Sequence, residues 1–167
     1  MIKIIDNYFE DDLFCNIKNH VTTKLYFTPR YFENTKEKNE ENYYGSRFVL
    51  KEDPNLLDIF KTTAEKKFNI RIKKLHDETG IDIRNLSKFK PHIDSGVINI
   101  MIMLSGPTAV TNGTVFYTNG ELDIHVGFRE NRAILFPSNW YHSNHASNIS
   151  NLKRYTASLF VTDYEEE

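Results

Sequence analysis

"KFKPHIDSGVINIMIML" occupies residues 88–104. A Pro-His-Ile-Asp turn leads directly into an almost wholly apolar run. Such a run, bounded by turn residues, reads as a buried strand. In an extended chain, residues i and i+2 point to the same side, so His92 and Asp94 converge on one point at the mouth of that strand. Spacing alone carries little weight, because His76 opens a competing His-x-Glu pair, "HDE", in a polar turn. What singles out His92 and Asp94 is their place at the end of an apolar strand.

Downstream, short β-rich pieces cover residues 114–117, 122–126, 133–136 and 155–161. They are punctuated by Gly, Pro and Asn in "SGPTAVTNG", "TNGE" and "PSN". Upstream, residues 2–6 read as a short strand. "EDDLFCNIKNHV" follows, with acids at its start and apolar residues at Leu13, Phe14, Ile17 and Val21, which is helical spacing. "DPNLLDIFKTTAEKKF" signals a second helix, with Asp53 as N-cap, Pro54 at the first helical position, and Leu57, Phe60 and Ala64 on one face. From Phe68 the period changes to two, through Ile70 and Ile72 and again at Ile81 and Ile83. Residues 33–42, "ENTKEKNEEN", are charged and free of aliphatics and read as a solvated loop. Beside it, Tyr43, Tyr44 and Arg47 read either as surface packing or as a substrate lid. Two helices followed by many short strands, with no helical pattern between the later ones, define an α+β domain dominated by an antiparallel jelly roll.

The 167 residues suit one domain, 1–167, with 40% hydrophobic and 26% charged residues, enough to bury a core and remain in solution. A net charge of −2 gives no general attraction to nucleic acid or to anionic membranes. The single cysteine, Cys15, cannot form an internal disulfide, and its apolar neighbours suggest a buried thiol. The N-terminal stretch lacks the long apolar segment of a signal peptide or membrane span, so the default setting is cytoplasmic. Oligomeric state leaves no mark in the sequence.

A third ligand for an ion at His92 and Asp94 has to come from another strand, and the candidates are His125, His142 and His145. Two histidines and one carboxylate on one face, with open positions, form the facial triad of non-haem Fe(II) sites. Arg154 opens an apolar strand. A buried guanidinium there demands an anionic partner, and its planar fork suits a carboxylate. Thr156 lies two residues on, on the same side. His20 and His76 read as exposed, His125 as an ordinary strand residue, and Arg129 and Arg132 as solvated residues flanking a turn. Trp140 reads equally as core or as the lining of a mouth.

In the order of these parts the chain resembles the 2-oxoglutarate/Fe(II)-dependent dioxygenases, and among them the small prolyl-4-hydroxylase-like members. The matching elements are "HID" (His92, Asp94), "FPSNWYH" ending at His142, and "RYT" (Arg154, Thr156). "NGTVFY" resembles the family's Gly-containing strand, and "IKIIDNYFEDDLFCNIKNHV" its strand-then-helix lead-in. The resemblance implies a double-stranded β-helix (cupin-like jelly roll) with N-terminal helices packed on one side. It implies that His92, Asp94 and His142 hold Fe(II) as the catalytic metal, with His145 as the alternative third ligand. It implies further that Arg154 and Thr156 bind the co-substrate 2-oxoglutarate, and that dioxygen is consumed in hydroxylating a protein residue or a small molecule. Family members often use a tyrosine on the strand after His-x-Asp to hold the co-substrate, whereas here that strand carries methionines. Asn99, its one polar side chain over residues 97–104, is therefore either a co-substrate contact or is bonded to neighbouring backbone. The competing readings are a cupin-like metal enzyme that does not use 2-oxoglutarate, against which Arg154 counts, and a non-catalytic jelly-roll binding protein.

Overall fold

The computed structural model describes residues 1–31, 43–84, 90–108, 112–145 and 153–167. The charged stretch 33–42 lies outside them. Strand β1 (Lys3–Ile5) leads into helix α1 (Asp11–Thr23), whose first turn carries Asp11 and Asp12 and whose inner stripe is Phe14, Ile17 and Val21. Cys15 follows that stripe by one residue, which turns it roughly 100° away. It is therefore exposed, contrary to the expectation of a buried thiol.

Strands β2 (Thr28–Tyr31) and β3 (Tyr43–Val49) stand between the helices; the sequence does not announce either. A short 3-10 turn follows, and then helix α2 (Pro54–Phe68). The Asp53 side chain accepts from the Leu56 amide at 3.0 Å, and Pro54 occupies the first turn. Leu56, Phe60, Ala64 and Phe68 recur every four residues on its buried side. Phe68 ends this helix rather than starting a strand, because Asn69 takes a left-handed conformation (φ 56°) that stops it.

The remaining strands are β4 (Ile70–Leu75), β5 (Gly80–Arg84), β6 (Ile98–Ser105), β7 (Gly113–Thr118), β8 (Glu121–Gly127), β9 (Arg132–Pro137), β10 (His142–His145) and β11 (Arg154–Glu166). The large sheet runs β1-β9-β6-β11-β5-β3-β2, with β4 pairing β11 beyond β5, and the small sheet runs β10-β7-β8. Every strand pairing among the described residues is antiparallel, so the expected jelly roll is present, with both helices on one side of the large sheet.

The pleat sorts β6 and β11 into two functions. Ile98, Ile100, Ile102 and Leu104 join Ala157, Leu159 and Val161 in the helix-backed core. The alternate residues of β6, Asn99, Met101 and Met103, face the space between the sheets, where Met101 and Met103 pack with Phe116, Phe128 and Phe136.

Arg129 and Arg132 are not simply solvated, since both bond the Asp6 carboxylate and so tie the strand β1 exit to the start of β9. Among the described residues no helix is long and apolar enough to cross a membrane.

Candidate metal centre

A pair of backbone hydrogen bonds brings the first two candidate ligands together. The His92 amide donates to the His142 carbonyl and the His142 amide to the His92 carbonyl, each at 2.9 Å. The Asp94 amide donates to Ser138 O at 2.9 Å, which anchors the "PHID" turn against the "FPSNW" turn. One donor atom each from His92, Asp94 and His142 then lies within 4.8 Å of the others.

The protonation pattern follows from chemistry. His92 Nδ1 lies 3.0 Å from Lys90 O and His142 Nδ1 lies 2.9 Å from Trp140 O. A carbonyl oxygen only accepts, so each Nδ1 carries the hydrogen, and in a neutral ring each Nε2 is a lone pair. Those lone pairs face Asp94, at 3.5 Å from Oδ1 for His92 and 3.2 Å from Oδ2 for His142. Three electron-rich atoms facing one another repel unless the rings take up protons or a cation lies between them. Burial pushes the Asp94 carboxyl up. When the rings are protonated, hydrogen bonds from His142 and His92 and the charge of His142, together with the Asn99 amide, outweigh burial and hold it far below the usual carboxylate range.

Asn99 is placed differently from the expectation. It is almost fully buried, and its Nδ2 donates to Asp94 Oδ2 at 2.6 Å. The inward face of β6 passes beside Asp94, and the Oδ1 of Asn99 is buried without a hydrogen-bond partner. The role of Asn99 is to orient the Asp94 carboxylate.

β10 separates the two later histidines. His142 is buried and turned inward, against Phe116 and Phe136. His145 is on the opposite face, with its ring centroid 4.9 Å from that of His125. Neither His125 nor His145 joins the cluster. His20 is half-buried against Asp53 and His76 half-buried, its Nδ1 accepting from the Glu78 amide, so both are more engaged than expected. Trp140 packs partly buried on Phe116, with ring centroids 6.0 Å apart.

Arg154 is 1% exposed, at the start of β11. Its Nη1 donates to Gly113 O at 2.6 Å and to Asn112 Oδ1 at 3.3 Å, and Nη2 donates to Asn144 Oδ1. Three of the five guanidinium N–H donors are thus used to bridge the two sheets. Nε has no partner, and among the described residues no carboxylate forms an ion pair with Arg154. Burial lowers its pKa to about 9, the neighbouring Arg84 charge adds to the fall, and Asp82 opposes it. Gly113 also lets β8 pack closely against β7 at this point. A Cβ there would lie 2.2 Å from Val126 O, closer than a side chain tolerates.

His92, Asp94, His142, Arg154 and Thr156 all line one cavity. Met101, Ser158 and Phe160 complete its wall on β6 and β11, and Asp82, Arg84 and Asn144 complete it from β5 and β10. These last three, and Asn112, were missed by sequence reasoning, since only the strand register brings them to the site. Arg47 was read as surface packing or lid. It is largely buried instead, gripping Asp82 through Nε–Oδ1 at 2.8 Å and Nη2–Oδ2 at 2.9 Å. Tyr43 bonds Ser46 and packs on Tyr31.

No protein-family model matches the chain, and no curated protein resembles it significantly in sequence. Solved structures do resemble it in fold. HygX from Streptomyces hygroscopicus, solved with nickel, 2-oxoglutarate and hygromycin B, is 9% identical with a TM-score of 0.65, over 99% of this chain and 82% of that one. The non-haem α-ketoglutarate-dependent epimerase SnoN from nogalamycin biosynthesis is 10% identical with a TM-score of 0.63, over 99% and 78%. A prolyl hydroxylase from Trichoplax adhaerens, in complex with a hypoxia inducible factor peptide, is 14% identical with a TM-score of 0.59, over 97% and 83%. The chain therefore shares the double-stranded β-helix fold of these solved structures.

Proposed function

We propose that this chain is a 2-oxoglutarate- and Fe(II)-dependent oxygenase that hydroxylates its prime substrate. The observation that carries the reading is one cavity lined at one end by a His-Asp-His cluster and at the other by a buried guanidinium. At one end two imidazole Nε2 atoms and a carboxylate converge, a donor set that suits Fe(II). At the other lies a buried guanidinium whose Nε has no partner and which forms no ion pair among the described residues, a setting that suits the distal carboxylate of 2-oxoglutarate. A cupin-like enzyme without 2-oxoglutarate, or a non-catalytic jelly roll, leaves the buried, unpartnered Nε of Arg154 unexplained.

His92, Asp94 and His142 would hold the metal, and Arg154 with Thr156 the co-substrate. When bound, these groups supply dioxygen activation coupled to the oxidation of 2-oxoglutarate to succinate and CO2, the second oxygen atom entering the prime substrate. The chain's own share is positional. The Lys90 and Trp140 carbonyls fix both imidazole tautomers, Asn99 aims the Asp94 carboxylate, and Met101 and Phe160 keep the cavity wall apolar near the reacting centre. The prime substrate is a protein residue or a small molecule. The solved relatives include an enzyme bound to a peptide and one bound to an antibiotic.

The test is conversion of 2-oxoglutarate to succinate with Fe(II), with peptide and small-molecule candidates, and mass spectrometry of the prime product. A gain of 16 Da on the substrate, the mass of one oxygen atom, supports hydroxylation. Turnover with no added oxygen atom points to a different outcome of the same chemistry. Unchanged iron affinity in both His92→Ala and Asp94→Ala would remove the site altogether.

A further inference from the structure

The Arg154 end of the cavity contains a second guanidinium that the reading above does not use. Strands β5 and β11 pair so that Arg84 lies directly across from Arg154, and Asp82 directly across from Thr156. Directly paired residues project to the same face. All four residues line the same cavity. Two like charges side by side across a sheet destabilise it unless something anionic lies between or beside them.

The chain holds Arg84 in this place on purpose-built supports. Asp82 Oδ2 accepts from Arg84 Nη2 at 3.3 Å, and the same carboxylate is gripped from behind by both ends of the Arg47 fork. Arg47 is itself tied to Glu78, and its guanidinium lies 5.7 Å from the centroid of Phe160, which also lines the cavity. The Arg84 side chain is 14% exposed, so its charge acts in a poorly solvated space.

Donor counting points the same way. A buried carboxylate has about four lone-pair sites to satisfy. Arg154 retains two N–H donors, on Nε and Nη2, and Thr156 offers one hydroxyl. One site is left, and the cross-strand neighbour is Arg84.

We propose that Arg84, positioned by Asp82 and Arg47, is a second guanidinium arm that binds the distal carboxylate of 2-oxoglutarate jointly with Arg154. This rests on the co-substrate assignment made above. The fall that the Arg84 charge causes in the Arg154 pKa agrees with both charges being felt in one cavity.

The test is anaerobic calorimetric titration of the Mn(II)-loaded protein with 2-oxoglutarate and, separately, with 2-oxopentanoate, which lacks the distal carboxylate. Arg84→Gln should weaken 2-oxoglutarate binding about tenfold, leave Mn(II) affinity unchanged, and leave 2-oxopentanoate binding unchanged. Arg84→Lys, which keeps the charge, should recover part of the loss, and it is the informative variant if the glutamine variant folds poorly. Unchanged 2-oxoglutarate affinity in Arg84→Gln, with affinity lost in Arg154→Gln, overturns the second arm and leaves the site reading intact. Equal weakening for both ligands also overturns it, because the effect would then not act through the distal carboxylate. Undiminished binding in Arg154→Gln overturns the co-substrate assignment itself.

Discussion

The two faces of strand β11 are made from the same backbone and buried almost equally, yet they are opposite in kind. One face presents Tyr155, Ala157, Leu159 and Val161 to the helix-backed core. The other presents Arg154, Thr156, Ser158 and Phe160 to the cavity. Burial on the first face is stabilising by about 25 cal/mol per Å² of apolar surface. Burial on the second face works against stability, since polar and charged groups are taken from water and only partly re-bonded. The first face holds the molecule together, and the second is tolerated because the first exceeds it.

Substitutions can break that contrast. The largest effect falls on the metal cluster: Asp94→Ala should lower metal affinity by two orders of magnitude or more, roughly what losing a ligand rather than an outer partner implies. Titration of metal content against a competing chelator reads it, and the melting temperature of the metal-free protein should barely move. Next, Asp82→Ala removes the carboxylate shared by two largely buried arginines and should cost about 3–5 kcal/mol of unfolding free energy by urea melts. Leu159→Ala, on the core face, should cost about 2–5 kcal/mol while leaving 2-oxoglutarate affinity within twofold of wild type. Arg154→Met should do the reverse. It should abolish co-substrate binding yet change unfolding stability by no more than about 1–2 kcal/mol, since an apolar side chain replaces a buried charge without a carboxylate partner. Smallest of all, Asp53→Ala removes the α2 cap and should cost about 1 kcal/mol with no change at the site.

Acid titration sharpens the same contrast. Burial pushes the Asp82 carboxyl up, but Arg84 and Arg47 outweigh it and hold it below its ordinary range. Because the folded value is depressed, the contribution of Asp82 is complete above the unfolded carboxylate pKa of about 3.9 and is lost as pH falls through the folded value. The stability gap between wild type and Asp82→Asn should therefore be constant near neutrality and close as pH drops below about 4.

The apolar face was the legible one. Helices α1 and α2, strand β6 and the first half of β11 follow from periodicity alone, because each announces its buried stripe locally. His92, Asp94, His142, Arg154 and Thr156 were legible through their order and spacing along the chain. Asp82, Arg84, Asn112 and Asn144 were not, since their relevance depends on which strand lies beside which and in what register. Strands β2 and β3 were silent for a related reason: "TPRY" and "YYGSRFV" lack a clean alternation, and pairing with β5 is what orders them. Asn99 was noticed as a lone polar residue, but whether its partner was a ligand, the backbone or a carboxylate could be read only once Asp94 was seen above it.

The reciprocal amide bonds between His92 and His142 act as a clasp across a fifty-residue span of chain. Closing that span carries an entropic cost that grows with its length, and the two bonds that close it are made by backbone alone, leaving the imidazoles out of the closure. Hydrogen exchange should find these two amides slow in the metal-free protein and scarcely slower once it is loaded.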